Sequence, residues 1–118
     1  MVVRRETWTR IDSKATVETP RNTQRYSTLF VSPGGLFIPS DQTLEPSTQV
    51  TVRFSIEKQA IIAHAEVRRN LTAAEAFDRG IQRGVGGMEM RIVRMEGDGT
   101  QVLADHIKKV IMESGGPG

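Results

Sequence analysis

With 118 residues, no cysteine, and 16 Lys and Arg against 14 Asp and Glu for a net charge of +2, the chain has the length of one domain and cannot form disulfides or thiolate metal sites. A hydrophobic share of 37% supports a globular core, and no apolar run approaches the ~20 residues of a membrane span. The pI of 9.4 gives a modest preference for anions, while the near balance of charge excludes a polycationic nucleic-acid tail.

Residues 1–13 are polar and charge-rich, with Val2, Val3, Trp8 and Ile11 as their apolar points. They turn charged too soon to serve as a secretory signal. Residues 14–19 read as a strand ended by Pro20, Arg21 and Asn22. Residues 26–31 follow, rich in aromatic and β-branched types, and Pro33-Gly34-Gly35 breaks them. Leu36-Phe37-Ile38 is a short apolar strand stopped by Pro39. In residues 49–56, Val50, Val52, Phe54 and Ile56 alternate with polar partners, the clearest period of two in the chain. In residues 60–69, Ile61, Ala63, Ala65 and Val67 share a face, and Ile62, His64, Glu66 and Arg68 take the other. Gly86-Gly87 leads into a strand over residues 88–93, where glycine relieves the backbone.

Two segments depart from this pattern. Thr72-Ala73-Ala74-Glu75 fits a capping box, so the spacing predicts a short helix over residues 73–82 between strands. In residues 100–112, Val102, Leu103, Ile107, Val110 and Ile111 form one helical stripe, which predicts a helix capping the sheet. Six short strands with turns at regular spacing and a C-terminal helix make an all-β class, an antiparallel barrel or sandwich.

No constellation for catalysis stands out. Ser32 has no general base near it in sequence and no Gly-x-Ser-x-Gly elbow around it. His64 and His106 have no metal-ligand spacing between them or toward a cysteine. Gly84-Val85-Gly86-Gly87 lacks the Lys-Ser/Thr of a phosphate loop. The expectation is a protein that is not an enzyme and needs no cofactor or metal.

The segment Phe30-Val31-Ser32-Pro33-Gly34-Gly35-Leu36-Phe37-Ile38 resembles the PilZ domain, whose signature is Asp/Asn-x-Ser-x-x-Gly before a short apolar strand. Ser32 and Gly35 stand at its Ser and Gly positions. Leu44-Glu45-Pro46-Ser47-Thr48-Gln49-Val50, residues 60–69 and Gly87-Met88-Glu89-Met90 resemble later parts of the family pattern. The C-terminal helix is usual there, and residues 73–82 look like an insertion. The likeness covers nearly the whole chain, with the Ser-Pro-Gly-Gly region its specific part.

That resemblance implies a six-stranded antiparallel β-barrel with a C-terminal helix and a role in cyclic-di-GMP signalling. The implied layout is an N-terminal arm over residues 1–13, the barrel and its helix over 14–113, and a tail over 114–118. Family members that hold cyclic-di-GMP use an Arg-x-x-x-Arg motif before the barrel together with the Asp/Asn-x-Ser-x-x-Gly turn. Arginine pairs with phosphate or the guanine O6/N7 edge, and glycine lets the ligand approach the backbone.

This chain departs from both motifs. Phe30 stands at the Asp/Asn position. Arg5 and Arg10 are one residue too far apart, and Glu6 stands where the first arginine belongs. Arg21 and Arg25 have the right spacing but sit in the turn region near Ser32. The ligand residues implied are therefore Arg4, Arg5 and Arg10 with Ser32, Gly34 and Gly35. Those arginines either clamp an anion or form a solvated arm, and Ser32, Gly34 and Gly35 either line a ligand or simply make a tight turn. Trp8 either stacks on a guanine, anchors a partner or packs on the barrel. Phe30 either contacts a partner or turns inward. The leading expectation is a cytoplasmic PilZ-type regulator of motility, pili or surface behaviour. It would act through a protein partner and bind cyclic-di-GMP weakly or not at all. The alternatives are a genuine cyclic-di-GMP receptor built on the N-terminal arginines, and a small nucleic-acid-binding barrel.

Overall fold

The structure is a computed structural model that describes residues 8–81 and 85–114. The chain folds as one antiparallel sheet followed by a helix. Its strands are β1 (Thr9–Ile11), β2 (Ala15–Glu18), β3 (Thr23–Tyr26), β4 (Leu29–Ser32), β5 (Gly35–Pro39), β6 (Gln49–Ile56), β7 (Gln59–Leu71) and β8 (Gly87–Met95). Helix α1 (Ala73–Asp78) interrupts the connection from β7 to β8, and α2 (Gly99–Ser114) closes the chain. The sheet order is β1-β4-β5-β8-β7-β6-β2-β3, curled into a half-barrel with β1 and β3 as its edges.

The all-β class with a C-terminal helix holds, and the described residues form eight strands where six were expected. One added strand lies within the leading segment. Thr9 and Ile11 are buried and Arg10 is exposed, a three-residue alternation too short to read as a strand from sequence. The other comes from splitting the expected strand over residues 26–31. Thr23–Tyr26 pairs with β2, while Leu29–Ser32 belongs to the opposite flank, between β1 and β5. Helix α1 stops at Asp78, short of residue 82, where Gly80 takes a φ of 90°. Glycine adopts that left-handed conformation without strain.

The concave face carries the main core. Alternation along β4 to β8 sends Leu29, Val31, Leu36, Ile38, Val52, Ile61, Ala63, Val67, Met88 and Met90 inward. Leu103 and Ile107 of α2 complete this core from one end, as the apolar stripe of that segment predicts. Gly87 opens β8 directly against β5, where a Cβ would come 2.1 Å from the Ile38 carbonyl oxygen. Only glycine allows that approach.

A second, smaller core lies on the convex face. Phe30 and Phe37 are neighbours in register and meet edge to face, ring centroids 6.2 Å apart. Leu71 joins them, and Ala76 and Ile81 from the α1 segment cover them. The capping box that starts α1 is complete. Thr72 Oγ1 accepts from the Glu75 N–H at 3.2 Å, and Glu75 Oε1 accepts from the Thr72 N–H at 2.9 Å. The segment from Ala73 to Ile81 therefore roofs part of the convex sheet.

Candidate ligand cleft on the convex face

A cleft of about 310 Å³ opens on the convex face beside this second core, at the hairpin joining β4 to β5. Ser32 and Gly35 pair across the hairpin, with Pro33 and Gly34 at its tip. The Gly34 carbonyl accepts from the Ile92 N–H at 3.0 Å, which ties the tip to β8. Ser32 is buried, with its hydroxyl turned toward the Gly35 carbonyl. At Gly35 a Cβ would lie 3.0 Å from the Met90 carbonyl oxygen and 3.4 Å from the Trp8 ring. That glycine is demanded by packing. Gly34 has open space where its Cβ would be.

Trp8 forms one wall. It is half-buried, and its ring meets Phe37 edge to face at 6.5 Å. The indole N–H is buried without an acceptor among the described residues. The opposite wall comes from β7 and β8, through Arg68, Glu89 and Arg91.

The arginine on β7 owes its place to a bulge. Val67 pairs with Met90 and Arg69 with Glu89, so Arg68 has no partner on β8. A bulge inserts one residue and re-aims the side chains that follow. Here it leaves both Arg68 and Arg69 on the exposed side. Arg69 turns to Glu89 at 3.5 Å, and Arg68 lines the cleft. Arg91 pairs with Gly35 across the sheet and reaches the same space. Neither Arg68 nor Arg91 makes an ion pair within the described residues.

Glu89 is 7% exposed and held from two sides. Arg79, which caps the end of α1, donates to its Oε2 at 2.7 Å, and Arg69 approaches Oε1. Both oxygens of this buried carboxylate therefore face a guanidinium group.

The expected site residues divide as follows. Ser32, Gly34, Gly35 and Trp8 come together at the cleft. Arg10 does not line it. Its side chain is exposed and bonded to Asp12 Oδ1 at 2.9 Å. Arg4 and Arg5 lie outside the described residues. Phe30 takes the inward of its two expected placements, 5% exposed and packed with Ala76 and Ile81. Sequence reasoning missed Arg68, Glu89 and Arg91. The doublet Arg68-Arg69, where two polar residues interrupt the alternation of β7, was the one visible trace.

The chemistry of the cleft is recognition. It offers an aromatic edge, a glycine floor and two guanidinium groups without an ion pair among the described residues, which together suit a planar base carrying phosphate. No group of three His, Cys, Asp or Glu among the described residues could hold a metal ion. His64 lies elsewhere, on β7, sharing a 2.7 Å contact with Glu96.

The family model of the PilZ domain matches residues 3–107. The chain belongs to the PilZ domain family. PilZ domains are regulatory and binding modules of cyclic-di-GMP signalling. No curated protein matches the chain significantly. Among solved structures, the chain is similar to the Bacillus subtilis inhibitor of motility (MotI/DgrA), with a TM-score of 0.67 and 13% identity. The match covers 94% of this chain and 53% of that one, so the chain spans about half the length of its neighbour. At this identity the likeness is one of fold. Among the described residues of this PilZ domain, no helix is long and apolar enough to cross a membrane.

Proposed function

We propose that this PilZ domain is a regulator that works by contact with a protein partner and holds cyclic-di-GMP only weakly. Its sphere would be motility, pili or surface behaviour, a reading supported by the shared fold with an inhibitor of motility. The observation that carries the proposal is Phe30. The family's polar contact to guanine is replaced here by a ring sealed under Ala76 and Ile81. A buried polar group of the ligand left without its partner costs about 1–3 kcal/mol, roughly one to two decades of affinity. Arg10, bonded to Asp12 outside the cleft, adds nothing in this conformation.

Titration calorimetry with cyclic-di-GMP tests this directly. The expected result is no saturable heat at micromolar ligand. Micromolar or tighter affinity that disappears in Arg10→Ala would overturn the proposal.

One observation favours a second reading, a genuine cyclic-di-GMP receptor. Arg68 and Arg91 line the cleft with Trp8, make no ion pair among the described residues and supply two cations from the sheet itself. In that case binding is tight, survives Arg10→Ala and is lost in Arg68→Ala or Arg91→Ala. Quenching of Trp8, the single tryptophan, reports either outcome.

A further inference from the structure

The hairpin tip that borders the cleft also borders a second depression. Pro33 faces a groove of about 430 Å³ whose other wall is the outer side of α2, carrying Thr100, Ala104, Lys108, Ile111 and Met112. Leu103 and Ile107 show at its base, and both are anchored in the main core. The groove is almost wholly apolar. Ala104 is small enough to leave a hollow, while Ile111 and Met112 are 47% and 69% exposed beyond it. Lys108 is the single charged residue lining it and makes no ion pair among the described residues. Its neighbour Lys109 is different, since Glu57 Oε1 accepts from it at 2.8 Å.

The chemistry of these residues selects an occupant. The backbone of α2 is bonded within its own helix, so an extended peptide laid here would desolvate N–H and C=O groups with nothing to meet them. A helix brings its backbone already satisfied and offers apolar side chains at i, i+4 and i+7. The stretch from Thr100 to Met112 is about 18 Å at 1.5 Å per residue, room for three turns of a partner helix. The ammonium of Lys108, set in an apolar wall with no ion pair among the described residues, calls for a carboxylate. A second copy of this face would cover Lys108 with lining residues that include no carboxylate.

We propose that the groove between Pro33 and α2 is a docking site for an amphipathic partner helix with acidic residues beside its apolar stripe. The proposal rests on the protein-contact reading above and gives that contact a place. Because Pro33 belongs to both depressions, a partner seated in the groove rests on the same hairpin that borders the ligand cleft.

The test uses the full chain and two fluorescein-labelled, hydrocarbon-stapled helical peptides. Both carry Leu at i, i+4, i+7 and i+11, and they differ only at three flanking positions, all Glu in one and all Lys in the other. Fluorescence anisotropy should show the acidic peptide binding tighter by about fivefold, the reach of one partly exposed ion pair. Ile111→Glu should weaken both peptides by about tenfold or more. Lys108→Glu should invert the preference, and Arg21→Glu, an equal change of net charge outside the groove, should leave it alone. Absence of binding, equal affinities, or the same response to Arg21→Glu and Lys108→Glu would overturn the proposal. So would a concentration-dependent dimer by sedimentation that Ile111→Glu abolishes, which assigns the groove to a second copy. The two readings fail separately. Tight cyclic-di-GMP binding sinks the regulator without strong ligand and leaves the peptide result standing, whereas peptide failure sinks the groove alone.

Discussion

Phe30→Ala removes a ring that sits between Phe37 and the α1 segment and opens a cavity beneath Ala76 and Ile81. Deleting a buried phenylalanine costs about 3–5 kcal/mol, combining lost transfer free energy with an unfilled cavity. Unfolding entropy of ~2.1 cal/mol/K per residue makes 1 kcal/mol worth about 4 °C in a chain of 118 residues. The midpoint should therefore fall by roughly 12–20 °C, followed by circular dichroism or calorimetry. Against a total stability of about 5–15 kcal/mol, the alanine variant stays mostly folded at low temperature. Phe30→Asp restores the residue type of the family motif, but it buries a carboxylate among apolar side chains and should destabilise further. Neither variant should gain affinity for cyclic-di-GMP. A midpoint drop under about 4 °C for Phe30→Ala, or an Asp variant that stays stable and acquires micromolar binding, would refute the view that this ring is a structural plug.

Other perturbations probe the cleft and its supports. Gly35→Ala pushes a Cβ against the Met90 carbonyl oxygen and Trp8, so it should lower the midpoint and shift Trp8 fluorescence, while Gly34→Ala, in open space, should do neither. Thr72→Ala removes the N-cap of α1 and should cost about 0.5–2 kcal/mol, read from chemical denaturation. For pH, Lys109 holds the Glu57 carboxyl below its ordinary value of 4.5, and the same pair raises Lys109 above 10.5. A depressed carboxyl lends stability that is present above 4.5 and lost as pH falls through its lower folded value; a raised ammonium lends stability present below 10.5 and lost as pH rises past its higher one. The pair's own contribution is constant between these limits, and Glu57→Gln should soften the fall at both ends. An unchanged profile in that variant would count against the pair.

Much of the sheet was legible because burial follows a period of two. β6 shows it without interruption, with Val50, Val52, Phe54 and Ile56 buried as the alternation demands. α1 was legible from its capping box, a purely local signal. What escaped depends on partners distant in the chain. A three-residue strand such as β1 exists because Arg10 finds Phe30 across the sheet, and no window of sequence contains that pairing. The bulge at Arg68 is likewise a mismatch of register between β7 and β8. Arg91 reads as an outward residue of its strand, but its place in the cleft follows from pairing with Gly35 on β5. The hairpin could be found because its residues are contiguous; the arginines opposite could not.

Phe30 and the α1 segment make sense only together. A sheet residue on the convex face would ordinarily meet water, and a bare phenylalanine there would leave an apolar patch. The segment after β7 supplies the cover through Ala76 and Ile81, and those two side chains in turn need an apolar floor, which Phe30, Phe37 and Leu71 provide. Each half is costly without the other, so Phe30 and the α1 segment act as one structural unit. That unit also reaches the cleft. Trp8 leans on Phe37, and Glu89 is held by Arg79 at the end of α1, so both a wall and an anionic corner of the cleft depend on the helix being seated. Ile81→Ala should therefore disturb Trp8 although Ile81 does not line the cleft, and combined with Phe30→Ala it should cost less than the two changes added, because they empty one shared cavity.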